Sequence, residues 1–445
     1  MPTRKLTRRR FLATTAASSA LLAMPHVRGA NAAGKLSIGF WDHWVPGANI
    51  ATQSLVEEWA AQEKVEVKID YITTQGNKLM LTIESESQAR SGHDILTFTT
   101  WRPSDHANML ERVDDIMDSL IKLNGAVNQT VEYLGKSGGQ WIAVPATVGS
   151  QIKGPCSRID LMKQHAGIDV QAMYPAGAPP KAEKWTLDAF LAAAEACHKA
   201  GFPFGIGLGP TEDSVDTAGA IFQSFGAMLV DASGNITVKS DPVREALDYY
   251  TRLARFFPRD APAWDNASNN KWLISGRGAL IMNPPSAWAV AKRDAPQVAE
   301  QLWTHGMASG PKGRFAPFVP FFWGIWAFSK NKAAARSLLA HLSQPKAIER
   351  MVAASEGYDL PSFANLTTLK TWAEEGPPKG TLHHYPNPYN HHVLSIAGAP
   401  APPKIAVQIY TQGIMTKMTV RHMQGEAMEK TLAWAESEVE GFMRT

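Results

Sequence analysis

Cysteine is scarce in this sequence, and long apolar runs are missing after the N-terminal segment. Only Cys156 and Cys197 occur among 445 residues, and they are not spaced as a CxxC pair. Redox thiol chemistry therefore lacks its usual signature, although separate burial and mutual pairing of the two thiols both fit the sequence. No run after residue 32 approaches the roughly 18 apolar residues of a membrane-spanning helix. We therefore expect no stable membrane insertion.

Several catalytic signatures are missing as well. There is no Walker-type phosphate loop and no HExxH motif, and Gly205, Gly207 and Gly209 lack the spacing of a dinucleotide fingerprint. Cys197 lies on the apolar side of a predicted helix, and no histidine or acid is placed by pattern to activate it. Repeats and low-complexity segments do not occur, which argues against an adhesive or structural protein. We expect no catalytic residue, no cofactor and no enzyme activity.

Basic residues are concentrated at the N-terminus. Residues 1–32 contain six of them and no acid, so the net charge of +3 becomes −3 for the rest of the chain. A mildly acidic chain gives no support for nucleic-acid binding. The run TRRRFL (7–12), a weakly apolar region and ANA (30–32) are typical of a cleaved twin-arginine export signal. We expect cleavage after Ala32 and a freely diffusing periplasmic protein, because neither cysteine lies where a lipid anchor would need one.

Strand and helix patterns alternate after residue 35. Alternating apolar residues predict strands at 35–41, 65–71 and 94–99, with helices between them, the first capped by Asn49. Strand, helix and strand in this order form the unit of a parallel sheet, so we expect an α/β fold. Helices are also predicted at 185–201, with Thr186 as its cap and Gly201 at its end, and at 218–230 and 241–257. A chain of 445 residues is long enough to divide into two or more lobes.

Aromatic residues follow the predicted strands. The first strand runs into Trp41, His43 and Trp44, and the third into Trp101 with Asp105 beyond it. Ligand sites in α/β sheets lie at the carboxyl ends of strands. An indole face matches the apolar face of a pyranose ring, and a carboxylate can accept from two hydroxyls. Packing would explain any single tryptophan, whereas clusters at two corresponding strand ends favour a sugar-binding edge.

Four segments carry a resemblance to a known family. In GGQWIAVPATVGSQIKGPCSRIDLMKQHA (138–166), an apolar run closing at Pro145 predicts a strand that leaves its sheet. Residues 269–288 predict a helix, a short strand and a loop that carries Trp288. FFWGIWAFSKN (321–331) and SEGYDLP (355–361) are the other two segments. Together they resemble the extracellular solute-binding proteins of ABC importers, of the maltose-binding type and its carbohydrate branch.

The resemblance implies a two-lobed periplasmic-binding-protein fold, class II type, with discontinuous lobes. Lobe 1 would comprise residues 33–146 and 315–363, and lobe 2 residues 147–314 and 364–445. Crossovers are expected near Thr147, Arg314 and Phe363. A sugar or polyol would bind between the lobes of a monomer and shift the equilibrium between open and closed forms. The transmembrane subunits of an ABC permease would then recognise the closed form.

The strand-end pattern and the resemblance together give a set of expected ligand contacts. Trp288 takes the place of an aromatic residue that stacks on the ligand in sugar-binding relatives. No metal ligand belongs to the set. Its members are Trp41, His43, Trp44, Trp101, Asp105, Trp288, Trp323, Tyr358 and Asp359.

Two other functions stay open. A binding protein for a phosphorylated polyol would need two or more basic residues in the cleft, and Arg102 is the one basic residue expected near the site. A twin-arginine-exported metalloenzyme could use the four histidines between His383 and His392. Adjacent histidines point in different directions, however, and the prolines among them favour an exposed loop.

Overall fold

The computed structural model describes residues 34–444 except 177, 367 and 375–392. The loop from His383 to His392 therefore lies outside the described residues. Helices and strands alternate through the described ranges, as an α/β fold requires. The strands are β1 (Lys35–Trp41), β2 (Glu66–Ile72), β3 (Ile95–Thr99), β4 (Lys136–Ser137), β5 (Gln140–Trp141), β6 (Val144–Ile152), β7 (Cys156–Arg158), β8 (Leu280–Ile281), β9 (Leu302–Thr304), β10 (Phe315–Ile325) and β11 (Val393–Ser395).

The helices cover the faces of the sheets and vary widely in length. None in the described ranges is both long and apolar enough to cross a membrane. They are α1 (Pro46–Glu63), α2 (Lys78–Ala89), α3 (Arg102–Asp105), α4 (Asp114–Asn124), α5 (Gln129–Gly135), α6 (Ile159–Ala166), α7 (Val170–Met173), α8 (Leu187–Lys199), α9 (Glu212–Ser224), α10 (Asp241–Ala254), α11 (Ser268–Ile274), α12 (Pro284–Asp294), α13 (Pro296–Ala299), α14 (Lys332–Leu342), α15 (Pro345–Ala354), α16 (Thr371–Glu374), α17 (Pro403–Thr411), α18 (Ile414–Met423) and α19 (Met428–Met443).

A six-stranded sheet, the large sheet, combines β1, β2, β3 and β6 from the first part of the chain with β10 and β11 from the later part. β1 lies between β2 and β3 and is parallel to both, so the carboxyl ends of these three strands share one edge. β10 runs antiparallel to β3 and to β6, and β11 pairs with β10. The predicted parallel α/β unit is confirmed.

A three-stranded sheet, the small sheet, contains β7 between β8 and β9. Both of its pairings are antiparallel. Cys156 lies in β7 and Cys197 in α8, and both are buried and free. They therefore do not form a disulfide, and the expectation that Cys197 is a core residue is confirmed.

β6 and β10 are adjacent strands of the large sheet and are almost completely buried. The predicted end of a strand at Pro145 is wrong, because β6 starts at Val144, places Pro145 opposite Phe322 and continues to Ile152. Among the described strands β6 pairs only with β10, and a strand with one free side tolerates the missing N–H of proline. Thr147 and Arg314 lie in and just before these strands, and the lobe boundaries stay a prediction.

The ends of α8 and α9 test the helix boundaries that were predicted from the sequence. In α8, the Thr186 hydroxyl accepts from the Ala189 N–H as its predicted cap. The start predicted at residue 218 is wrong, since Thr211 caps α9 and the helix begins at Glu212. The end predicted at 230 is also wrong, because Gly226 adopts a φ of 77° after the helix.

Two further local predictions are wrong. Asn49 does not cap α1, which begins at Pro46 with proline in its first turn. The Asn49 side chain accepts from the His43 N–H and donates to Asp42 instead. Trp288 lies in helix α12 and not in a loop, because Pro284 and Pro285 start a helix as readily as they would shape a turn.

Candidate functional site

Four of the expected ligand contacts come together at the carboxyl end of β1. The ring of His43 lies 4.7 Å from that of Trp41 and 4.6 Å from that of Tyr358. His43 Nε2 is 3.1 Å from Asp359 Oδ1. We call Trp41, His43, Tyr358 and Asp359 the aromatic cluster. All four are buried, so the structure brings them together without exposing them.

Hydrogen bonds define the charge state of His43. The Val45 N–H donates to His43 Nδ1 at 2.8 Å, so this nitrogen carries no proton. Nε2 must then carry the proton and donate to Asp359, which makes the imidazole neutral. Asp359 Oδ1 also accepts from the Gly149 N–H at 2.8 Å, which links β6 to the cluster. Among the described residues, Asp359 Oδ2 and Trp41 Nε1 are buried without a hydrogen-bond partner.

Two other expected contacts are part of the protein interior. Trp323 lies within β10 opposite Thr97 and Val144, and its ring is 5.6 Å from that of Phe40. Trp101 is fully buried, and its Nε1 donates to the Ala397 carbonyl at 2.9 Å. The structure does not bring either indole into the aromatic cluster.

Asp105 lies apart from the aromatic cluster as well. Its carboxylate is 3.3 Å from Arg102 Nη1, and the same nitrogen is 3.5 Å from Glu84. Glu84, Asp105 and His106 could converge on a metal ion. The Arg102 guanidinium already supplies the positive charge between the two carboxylates, however.

Trp44 and Trp288 are half-buried and lie on two segments that meet. Arg293, on the same helix as Trp288, reaches the Trp44 carbonyl at 3.5 Å. Lys292 lies 4.7 Å from the Trp288 ring centre and 2.5 Å from Glu356. Helix α12, which lies in the sequence between β8 and β9 of the small sheet, thus contacts the loops after β1 and α15.

A second group of polar residues lies where α9 begins. Lys153 Nζ is 2.5 Å from Asp213 and 3.1 Å from Asp216. Asp213 also accepts from the Asn269 amide at 2.9 Å. Glu212 precedes Asp213 and is half-buried. We call Lys153, Glu212, Asp213 and Asp216 the acidic cluster.

The acidic cluster contacts the carboxyl end of β3. The Thr99 hydroxyl donates to Glu212 Oε1. The next residue, Thr100, donates to the Tyr410 hydroxyl at 3.3 Å and has a φ of 43°. A buried β-branched residue in this conformation is strained, and such strain occurs preferentially at functional sites. The large sheet therefore meets α9 through polar groups.

Charge in the acidic cluster is only partly compensated. Burial alone would lower the pKa of Lys153, but Asp213 and Asp216 outweigh it and raise this pKa. Burial raises the pKa of Asp216 to about 7, against the opposing charge of Lys153. Burial, with the nearby charges of Asp216 and Glu212, raises the pKa of Tyr410. A carboxyl group with a pKa near neutrality indicates buried negative charge without enough positive charge beside it.

Sequence reasoning missed the acidic cluster. The signal was present in TEDSVD (211–216), where a threonine cap is followed by two acids in the first helical turn. A helix start predicted at residue 218 placed these acids in a loop. With the correct start, Glu212 and Asp216 are four residues apart and lie on the same side of α9.

An open groove of about 560 Å³ adjoins the ends of β1 and β2. Its volume is within the range of small-molecule sites, about 300–1,000 Å³. Leu81 on α2 is 63% exposed at this groove. The remaining lining residues are Asp42, Tyr71, Ile72, Thr73, Lys78, Thr82, Ser85 and Glu86.

Comparisons agree with this arrangement. Residues 54–377 match the family described as bacterial extracellular solute-binding protein, and the chain belongs to this family. Such proteins act outside the cytoplasmic membrane and bind solutes. No curated protein sequence matches the chain.

Solved structures show the same two-lobed fold. Maltose-bound MalE3 of T. maritima is 17% identical, with a TM-score of 0.71 and coverage of 92% of this chain and 99% of that one. The sugar transporter of Arthrobacter chlorophenolicus A6 with bound laminaribiose is 16% identical, with a TM-score of 0.67 and coverage of 92% and 98%. The solute receptor AcbH, whose described preference is β-D-galactopyranose, is 16% identical, with a TM-score of 0.65 and coverage of 93% and 99%.

Proposed function

We propose that this protein captures a carbohydrate, a sugar or polyol, between its lobes and delivers it to the transmembrane subunits of an ABC importer. The observation that carries the proposal is the meeting of β3 and α9, where Thr99 contacts Glu212. A ligand that touches both sides at this place stabilises the closed form. The protein would perform no bond chemistry. The solved relatives with bound sugars support the choice of solute class.

The chemistry of the aromatic cluster, the acidic cluster and Trp288 suits a polyhydroxylated ligand. Carboxylates and hydroxyls can exchange hydrogen bonds with sugar hydroxyls, and indole faces pack on the ring. We propose Trp41, His43, Trp44, Tyr358 and Asp359 as contacts from the first lobe. Trp288 and the acidic cluster would contribute from the second lobe. Trp101, Asp105 and Trp323 have protein partners, so their part in ligand binding stays a prediction.

Export through the twin-arginine route and a periplasmic, monomeric state complete the proposal. The leader predicted from residues 1–32 and the family's extracellular role support it. A phosphorylated ligand fits less well, because Lys153 is engaged with two carboxylates and cannot also serve a phosphate. The metalloenzyme alternative depends on His383 to His392, outside the described residues.

A thermal-shift screen of the protein starting at Ala33 tests the proposal. Neutral sugars, polyols, their phosphates and divalent metals would be added separately. A ligand that binds only the folded state raises the melting temperature. We expect shifts with sugars or polyols. Shifts with phosphates alone would identify the phosphorylated-polyol alternative, and shifts with metals alone would favour the enzyme.

Trp288→Ala then locates the site. Loss of a stacking indole should weaken sugar binding about tenfold or more, with the unfolding midpoint nearly unchanged because Trp288 is half-buried. Trp434→Ala is the matched control, since Trp434 also has a cation over its ring, Arg421 at 4.6 Å, but lies on the C-terminal helix. Unchanged affinity in Trp288→Ala would remove this residue from the site.

A further inference from the structure

The acidic cluster contains more negative than positive charge. Its three carboxylates face one ammonium group, that of Lys153. Among the residues that the structure describes, no other basic side chain forms an ion pair with Glu212, Asp213 or Asp216. Asp213 takes the closest contact with Lys153 and an amide hydrogen bond from Asn269. Glu212 and Asp216 are therefore left with little compensation.

Asp216 and Glu212 differ in what surrounds them. Asp216 has no exposed side-chain surface; its Oδ2 lies 3.1 Å from Lys153 Nζ, and the Tyr410 hydroxyl also contacts its carboxylate. Glu212 is half-buried, and its described partner is the uncharged Thr99 hydroxyl. The N-terminus of α9 contributes roughly half a positive charge, and its effect fades beyond the first turn. The N-terminus of α9 therefore stabilises negative charge on Glu212 more than on Asp216.

The two carboxylates that contact Lys153 differ in their exposure. The side chain of Asp213 is 17% exposed, whereas that of Asp216 has no exposed surface. On the side of the large sheet, the Thr99 hydroxyl donates to Glu212, and the Thr100 hydroxyl donates to that of Tyr410. A group bound beside Glu212 and Asp216 would thus touch both sides of the meeting point.

We propose that the ligand is an amino sugar, whose protonated amine binds between Glu212 and Asp216. This inference rests on the proposed function and specifies its substrate class. A neutral hydroxyl can donate one hydrogen bond but leaves the buried charge uncompensated. An ammonium supplies three donors and the missing positive charge at once. An N-acetylated or acidic sugar would lack this charge or add a further negative one.

Matched sugars isolate the contribution of the amine. Binding to the protein starting at Ala33 would be measured by calorimetry for D-glucosamine, D-glucose and N-acetyl-D-glucosamine. The galactose and mannose series would be measured in the same way, with D-glucuronate as the acidic probe. In at least one series the amine should bind about tenfold tighter than both neutral forms. Added salt should reduce this preference.

Two variants test whether the preference for the amine over neutral sugars depends on the acidic cluster. In Asp216→Asn and Glu212→Gln, the ratio of amine to neutral affinity should fall towards one. Glu245→Gln, an exposed residue on α10, should keep the ratio. Equal ratios in all three variants would overturn the assignment, even if the amine were preferred.

The outcomes distinguish this inference from the proposed carbohydrate capture on which it rests. Neutral sugars that bind as tightly as their amines in every series would overturn the inference and leave carbohydrate capture intact. Tighter binding of D-glucuronate would overturn it in the same way. Absence of binding by every sugar, with shifts from phosphates or metals, would overturn both.

Discussion

A hydrogen bond between His43 and Asp359 connects segments that are far apart in the sequence. Their contact at 3.1 Å joins the end of β1 to the loop after α15, and Asp359 also holds the Gly149 N–H of β6. Because His43 is neutral, this is a hydrogen bond between a buried carboxylate and an imidazole rather than an ion pair. Among the described residues, Asp359 Oδ2 and Trp41 Nε1 have no hydrogen-bond partner, and a hydroxyl, which both donates and accepts, would satisfy both atoms if it reached them.

His93 is a residue whose charge should stabilise the folded chain. Its Nδ1 lies 2.5 Å from Glu86 and its Nε2 3.1 Å from Asp70. Burial opposes protonation, but these two carboxylates outweigh it and raise the pKa of His93. A raised folded-state pKa gives stabilisation that is complete below the ordinary value of about 6.5 and is lost as pH rises through the raised value.

Urea unfolding of the wild type and His93→Gln measures this effect. The difference in unfolding free energy should be largest below the ordinary histidine pKa of about 6.5 and should shrink as pH rises through the raised pKa of His93. His198→Gln controls for replacement of an exposed histidine. A difference that does not change with pH would show that His93 contributes through packing alone.

Elements with local signals were predictable from the sequence, and those that depend on distant partners were not. α8 has its threonine cap beside it, and β1 has its alternation within seven residues. β6 instead continues past Pro145 because β10, more than 160 positions later, pairs with it. The aromatic residues were predicted by pattern, yet their burial depends on Phe321 and Gly149, which no neighbouring residue indicates.

Gly149 shows the constraint that this pairing places on β6. Its φ is 93°, and a Cβ at this position would lie 2.2 Å from the Phe321 ring. Gly149→Ala should therefore cost about 2–5 kcal/mol in unfolding free energy, from backbone strain and overpacking together. Gly138→Ala is the control, since Gly138 has a φ of 58° and nothing within 4 Å of a Cβ.

The control variant Gly138→Ala should lose only the backbone contribution to the unfolding free energy, about 1–2 kcal/mol. Urea midpoints and slopes of both variants would be compared at one pH. Equal losses in the two variants would mean that Phe321 moves aside without cost. The contact between β6 and β10 would then be looser than the structure shows.

The whole molecule combines a two-lobed fold with contacts that hold its parts together. The family and the solved relatives show this fold, and for such proteins function depends on the balance between open and closed forms. Any contact present only in the closed form lowers the free energy of closure, and so raises ligand affinity by the same amount. The contact of Lys292 with Glu356 is a candidate, because it joins α12 to the loop after α15.

Glu356→Gln should shift the molecule towards the open form. Both side chains are partly exposed, at 49% and 34%, so the pair contributes about 0.2–1 kcal/mol. Sugar affinity should then fall about 1.4- to fivefold, and the radius of gyration of the free protein in X-ray scattering should increase. Asp248→Asn is the control, because its pair with Arg252 lies within one helix and cannot report on closure. An unchanged radius with unchanged affinity would mean that the Lys292 contact persists in both forms. Closure would then depend on other contacts, such as those between β3 and α9 and that of Arg293 with the Trp44 carbonyl.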